Sequence, residues 1–187
     1  SSFDGSNGFR LDGAAAYDYA GRAVSSAGDV NGDGFADVIV GAPFADPNGS
    51  FSGSSYVVFG KASGFDATLN LSALDGSNGF RLDGEAAVLG AGFSVSGAGD
   101  VNGDGFADVI VGAPGGGANS SYVVFGKAAG FAATLDLSSL DSNSGFRLDG
   151  VAIGDFSGES VSSAGDVNGD GFADVMVGAV GADPNGD

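Results

Sequence analysis

The sequence contains no cysteine and no histidine. Without cysteine there is neither a disulfide framework nor a thiolate metal site. Without histidine the commonest general base and the commonest transition-metal ligand are both missing. Basic residues are scarce as well: 6 Lys and Arg stand against 24 Asp and Glu, for a net charge of −18. Nucleic acid is therefore excluded as a partner, since phosphate neutralisation needs Lys/Arg patches. Docking on an anionic membrane through basic residues is excluded for the same reason. No apolar run reaches the ~18 residues of a membrane-spanning helix, and Ser1 does not open a signal-peptide pattern, so no membrane insertion is expected.

What is present is an acidic chain with a core. Of its 187 residues 43% are hydrophobic, too many for a disordered acidic tail. It holds 37 glycines. They lie between short Val/Ile/Phe runs, not at collagen spacing, which points to many short strands joined by tight turns.

Self-comparison organises the chain. Phe9-Arg10-Leu11-Asp12-Gly13 recurs at Phe80 to Gly84 and at Phe146 to Gly150. Asp29 to Asp37 recurs at Asp100 to Asp108 and at Asp166 to Asp174, offsets of 71 and 66 residues. Ser54 to Lys61 recurs once, at Ser120 to Lys127. Each unit reads as four strands, in the first copy near Arg22 to Ala27, Asp37 to Gly41, Ser55 to Phe59 and Phe80 to Leu82. Val, Ile, Tyr and Phe dominate these runs, and no stretch carries a sustained helical period.

The expected fold class is thus all-β, with propeller blades of four antiparallel strands in about three repeats of 66–71 residues. Residues 1–13 are expected to be the outer strand of a preceding blade, 14–84 and 85–150 two blades, and 151–187 an incomplete one. Since propellers close with about 4–8 blades, further blades are expected from the same parent chain or from self-association.

These motifs resemble the FG-GAP repeats of integrin α-subunit propellers and of bacterial extracellular proteins. The resemblance covers essentially the whole chain. Its strongest part is the acidic loop followed by Val40-Gly41-Ala42-Pro43 and Val111-Gly112-Ala113-Pro114. The third copy departs, with Val177-Gly178-Ala179-Val180, and the phenylalanine-glycine element reads Ala20-Gly21, Ala91-Gly92 and Ser157-Gly158.

The loop has its own chemistry. Asp29, Asn31, Asp33 and Asp37 occupy positions 1, 3, 5 and 9, with Gly34 at the turn and Phe35 offering its carbonyl. Oxygen ligands at alternate positions of a tightly turning chain converge on one hard cation. The same set recurs as Asp100, Asn102, Asp104, Phe106 and Asp108, and as Asp166, Asn168, Asp170, Phe172 and Asp174. Position 12, where an EF-hand carries its bidentate acid, is Val40, Val111 or Val177; the acid at position 9 fits the FG-GAP loop instead. Five protein ligands favour Ca²⁺ over Mg²⁺, and the lack of nitrogen and sulfur ligands disfavours zinc. Three ions are expected, one per loop. A bare Asx-turn hairpin would also use Asp-x-Asn-x-Asp-Gly, but three identical copies at blade spacing argue for the metal.

Other features read as architecture. Arg10 and Asp12 are expected to make cross-strand surface contacts. Asp4, Asp75 and Asp141 are expected in solvated turns, Phe35, Phe106 and Phe172 between blades, and Gly115 to Gly117 in a flexible turn. Asp18 and Asp155 sit at equivalent places, with Leu89 in the second copy. Catalytic residues are not expected, since the repeated carboxylates are taken up by the loops. The function that emerges is a non-enzymatic, extracellular or cell-surface scaffold, adhesion or interaction module with a protein or glycan ligand. The alternative is the propeller portion of a secreted enzyme acting on glycans or other extracellular substrates.

Overall fold

The computed structural model describes residues 2–116 and 119–183. Gly117, the end of the expected glycine turn, lies outside the described residues, as do 184–187. The described chain is a partial β-propeller. Its first blade consists of β2 (Ala23–Gly28), β3 (Asp37–Ala42), β4 (Ser54–Val58) and β6 (Gly79–Asp83), each antiparallel to the next. The second consists of β7 (Ser94–Gly99), β8 (Asp108–Ala113), β9 (Ser120–Val124) and β11 (Gly145–Asp149) in the same order. The third is described for its two inner strands, β12 (Ser157–Gly165) and β13 (Asp174–Ala179).

Strands not foreseen in the sequence tie blade to blade. β5 (Thr68–Asn70) lies between β4 and β6 in sequence but pairs in parallel with β1 (Arg10–Asp12). β10 (Thr134–Asp136) likewise pairs in parallel with β6, as a fifth strand on the first blade. Each is followed by one 3₁₀ turn, Leu71–Ala73 or Leu137–Ser139, capped by the Asn70 or Asp136 side chain. Leu71 and Leu137 are buried by these turns.

The core lies between the blades. Ala27, Ile39, Val57, Phe80 and Leu82 of the first blade pack against Val95, Val109, Val111, Tyr122 and Val124 of the second. Ala98, Ile110 and Val123 of the second meet Val161, Val175 and Val177 of the third. Alternate residues of one strand thus face opposite neighbours, so a strand buried on both faces is apolar on both, as β8 is beyond its opening Asp108.

Candidate functional site

A bulge aims each acidic loop. The β2–β3 register shifts between Ser26 and Gly28, and the same shift recurs at Gly97/Gly99 and Ser163/Gly165. Gly28 takes a left-handed φ of 78°, which turns the strand out of its ladder and leads the chain into Asp29. Gly34, at φ 88°, then makes the sharp reversal.

Within the loop the carboxylates gather backbone donors. Asp29 accepts from the N–H groups of Asp33 (3.0 Å) and Gly34 (2.9 Å). Asp33 accepts from Phe35 N–H (2.9 Å) and from the Asn31 side-chain amide (2.9 Å). The second loop repeats all of this at Asp100 and Asp104, and the third repeats the backbone bonds at Asp166 and Asp170. Asp37 is buried and accepts from Val30 N–H and Gly60 N–H, both at 2.8 Å. Asp108 does the same with Val101 and Gly126. In the third loop Asp174 accepts from Val167 N–H (2.8 Å) and from Asn168 Nδ2 at 3.5 Å.

The electrostatics separate these carboxylates. Burial pushes Asp37 up to about 6, against its two backbone hydrogen bonds, and the charges of Asp33 and Asp29 add to the rise. Asp108 is pushed up to about 6 by the same burial, with Asp104 and Asp100 adding to it. Asp166 is held below the usual carboxylate range, chiefly by Gly171 N–H. The described ion pairs all lie elsewhere, at Arg10–Asp12, Arg81–Asp83, Arg147–Glu85 and Arg147–Asp149. No loop carboxylate among the described residues has a basic counter-charge. Nor do three acidic side chains there converge as a ready metal cluster, because their oxygens point at backbone N–H groups. The donor set is all oxygen and uncompensated, which suits a hard divalent cation.

The flanking features fall into place. Phe106 lies over Gly32 of the preceding loop and Phe172 over Gly103, so these two rings are inter-blade packing, whereas Phe35, expected between blades as well, is exposed and touches Gly60 of its own blade. Asp4, Asp75 and Asp141 are Asx-turn acceptors of neighbouring Ser and Asn groups. Arg10 pairs with Asp12 along one strand rather than across two, because residues i and i+2 share a face.

A second surface escaped the sequence reading. It lies at the opposite ends of the strands, in the connections before and after each blade. Tyr17, Tyr19, Phe51, Val88 and Phe156 are exposed there, and all five have left-handed φ between 52° and 70°. Tyr17 and Val88 occupy the place of Gly154, and Tyr19 and Phe156 that of Gly90. Left-handed backbone costs a residue with a Cβ roughly 1–2 kcal/mol. Phe44, Phe51, Val88, Phe93, Phe156 and Glu159 line a cleft of about 320 Å³ between these connections. Comparing equivalent positions across the copies would have exposed the pattern, since two of them carry glycine.

Known proteins share this organisation. The FG-GAP repeat pattern matches residues 20–58, 91–124 and 157–187, more than half of the chain. Integrin alpha-PS5 of Drosophila melanogaster is 32% identical over 166 residues, 89% of this chain and 15% of that protein. Integrin alpha-6 of Gallus gallus is 29% identical over 154 residues, 81% of this chain and 13% of its own length. Integrin alpha-4 of Xenopus laevis is 32% identical over 163 residues, covering 86% and 14%. This chain thus corresponds to a small part of each relative. With three matched repeats, each carrying its acidic loop between the inner strands of a blade, it belongs to the FG-GAP repeat family.

Proposed function

We propose that this chain is a calcium-stabilised portion of an extracellular β-propeller that serves adhesion or protein interaction rather than catalysis. The observation that carries it is the loop: the same all-oxygen set three times, without a basic counter-charge among the described residues. Asp29, Asn31, Asp33 and Asp37 would hold the ion by side chain and Phe35 by its carbonyl, with the equivalent residues in the other two loops. The cation supplies charge compensation, which holds the loop closed between the inner strands.

Sites of this open, extracellular kind bind near ~0.1 mM, so they are filled at ~1 mM Ca²⁺ outside the cell and empty in the cytosol. The partner surface is the strained aromatic cleft at the other end of the strands. Exposed apolar side chains held at a conformational cost mark function more than architecture. Thermal melting with and without chelator is the test. Three sites at those values contribute roughly 4 kcal/mol, or about 8–16 °C for a chain of this size. Identical melting curves in Ca²⁺ and in EDTA would remove the structural cation.

A further inference from the structure

We propose that Asn48–Gly49 is a deamidation site, built as a one-way release for the long connection between β3 and β4. The second copy is shorter at this connection. In the first copy Asn48 uses the extra length to reach the next repeat. Its Nδ2 donates to Gly84 C=O at 2.9 Å and to Asp136 Oδ2 at 2.7 Å. One amide nitrogen thus ties the loop to the end of β6 and to β10. Both partners are oxygen acceptors, so the tie exists only while the side chain is an amide.

Five other Asn–Gly pairs stand among the described residues, at Asn7, Asn31, Asn78, Asn102 and Asn168. In each of these the carboxamide oxygen accepts from a backbone N–H, that of Asp4, Asp33, Asp75, Asp104 and Asp170 in turn. That bond must be given up before the carboxamide carbon can turn to the glycine nitrogen. Asn48 is held the other way round. It is exposed, and among the described residues its Oδ1 accepts nothing and Gly49 N–H donates to nothing. The atom that is held is the one that leaves.

The Gly49 nitrogen attacks Asn48 Cγ, and the new C–N bond closes a succinimide ring. Water carries the Gly49 proton to Nδ2, the Cγ–Nδ2 bond breaks, and ammonia departs. As Nδ2 takes up the proton it gains positive charge, and the Asp136 carboxylate and the Gly84 carbonyl are already placed on it to stabilise that charge. A second water opens the succinimide at either carbonyl, to aspartate or isoaspartate; ammonia is lost, water is gained, and nothing is oxidised or reduced. The product carboxylate has no donor for Gly84 or Asp136, and it repels Asp136. The loop keeps its own bonds, Asn48 N–H to Ser52 Oγ and Phe51 N–H to Asp46 Oδ1. It therefore stays formed but lets go of the next repeat. Phe44 and Phe51 of the same loop wall the cleft, so the release reaches that surface.

Peptide mapping by mass spectrometry is the test. The 187-residue chain is held folded in mildly alkaline buffer with Ca²⁺ until the first of the six pairs has half converted. The expected first site is Asn48. Asp136→Asn removes the charge beside the departing amine but keeps the turn cap: the first copy carries Asn70 at this place, and its Oδ1 accepts from Ser72 N–H at 2.8 Å, as Asp136 does from Ser138 N–H. This variant is expected to slow conversion at Asn48 relative to Asn7 of the same molecule, whereas a merely loosened loop would convert faster. Asn48→Asp, which copies the product charge, is expected to melt about 2–4 °C lower. Another pair converting ahead of Asn48 overturns the proposal. So does an Asp136→Asn chain whose Asn48 converts as fast as before or faster, or an Asn48→Asp chain that melts with the wild type.

Discussion

Replacing Gly41 by alanine is a direct probe of how the blades meet. Gly41 lies in β3 without a left-handed φ, so alanine meets no conformational penalty there. The cost is purely one of space. The new methyl would lie 2.0 Å from Gly92 O, 2.9 Å from its carbonyl carbon and 3.2 Å from its Cα. All three atoms are backbone, so no rotamer change makes room. An ordinary carbon–oxygen contact needs about 3.2–3.4 Å, so the blades must part locally by more than about 1 Å. Overpacking of this kind costs about 1–3 kcal/mol and occasionally more; we expect about 3 kcal/mol, a drop of roughly 6–12 °C in melting temperature. The internal control is Gly178→Ala in β13, at the equivalent place. There the nearest atom is the Ser160 hydroxyl, which can rotate away, and the expected loss is within about 0.5 kcal/mol. Melting both variants at low concentration decides it. Equal losses would show that the glycines do not mark close inter-blade approach.

Further outcomes follow from the loops and the cleft. Asp33→Ala is expected to abolish Ca²⁺ binding in the first loop and leave the third loop's affinity unchanged, since the backbone bonds between loops join neighbours only; calorimetry with Ca²⁺ reads this as two remaining sites. In chelator, Asp37 and Asp108 contribute stability in their protonated form, because their folded pKa of about 6 lies above the ordinary value of 3.8. That contribution is full below about pH 4 and is lost as pH rises through 6, by about 1–2 kcal/mol per group after allowance for solvent screening. Metal-free protein should therefore melt higher at pH 5 than at pH 7, with the order reversed in Ca²⁺; a flat metal-free profile would contradict the burial argument. Val88→Gly is expected to stabilise the chain by about 1 kcal/mol, since it relieves left-handed backbone at the place where the third copy carries Gly154, and a lower melting temperature would show that the Val88 side chain packs rather than strains.

Much of the fold was legible because the signals are local and repeated. The Val/Ile/Tyr runs of β3, β4, β8 and β9 lie within a residue or so of their expected bounds. β5 and β10 were not legible: Thr68–Asn70 and Thr134–Asp136 are three residues long, and their partners are outer strands dozens of residues away. The loop aspartates read alike as letters but differ in the fold. Asp33 is exposed and Asp29 half-buried, whereas Asp37 opens a buried strand and ties the loop to Gly60. The one sequence signal of that difference is the apolar run that follows Asp37. The strained cleft was missed for a physical reason too. Left-handed backbone announces itself through glycine, and at Tyr17, Tyr19, Val88 and Phe156 the chain carries large side chains instead.

The central claim, that three acidic loops each hold one structural calcium ion, is tested most directly by counting metal. Protein freed of metal by chelation is equilibrated with about 1 mM Ca²⁺, a level that fills sites of ~0.1 mM affinity, and bound ions per chain are measured by equilibrium dialysis and atomic emission. The predicted result is three per wild-type chain and two each for Asp33→Ala, Asp104→Ala and Asp170→Ala. A wild-type chain that binds no Ca²⁺ while remaining folded would contradict it.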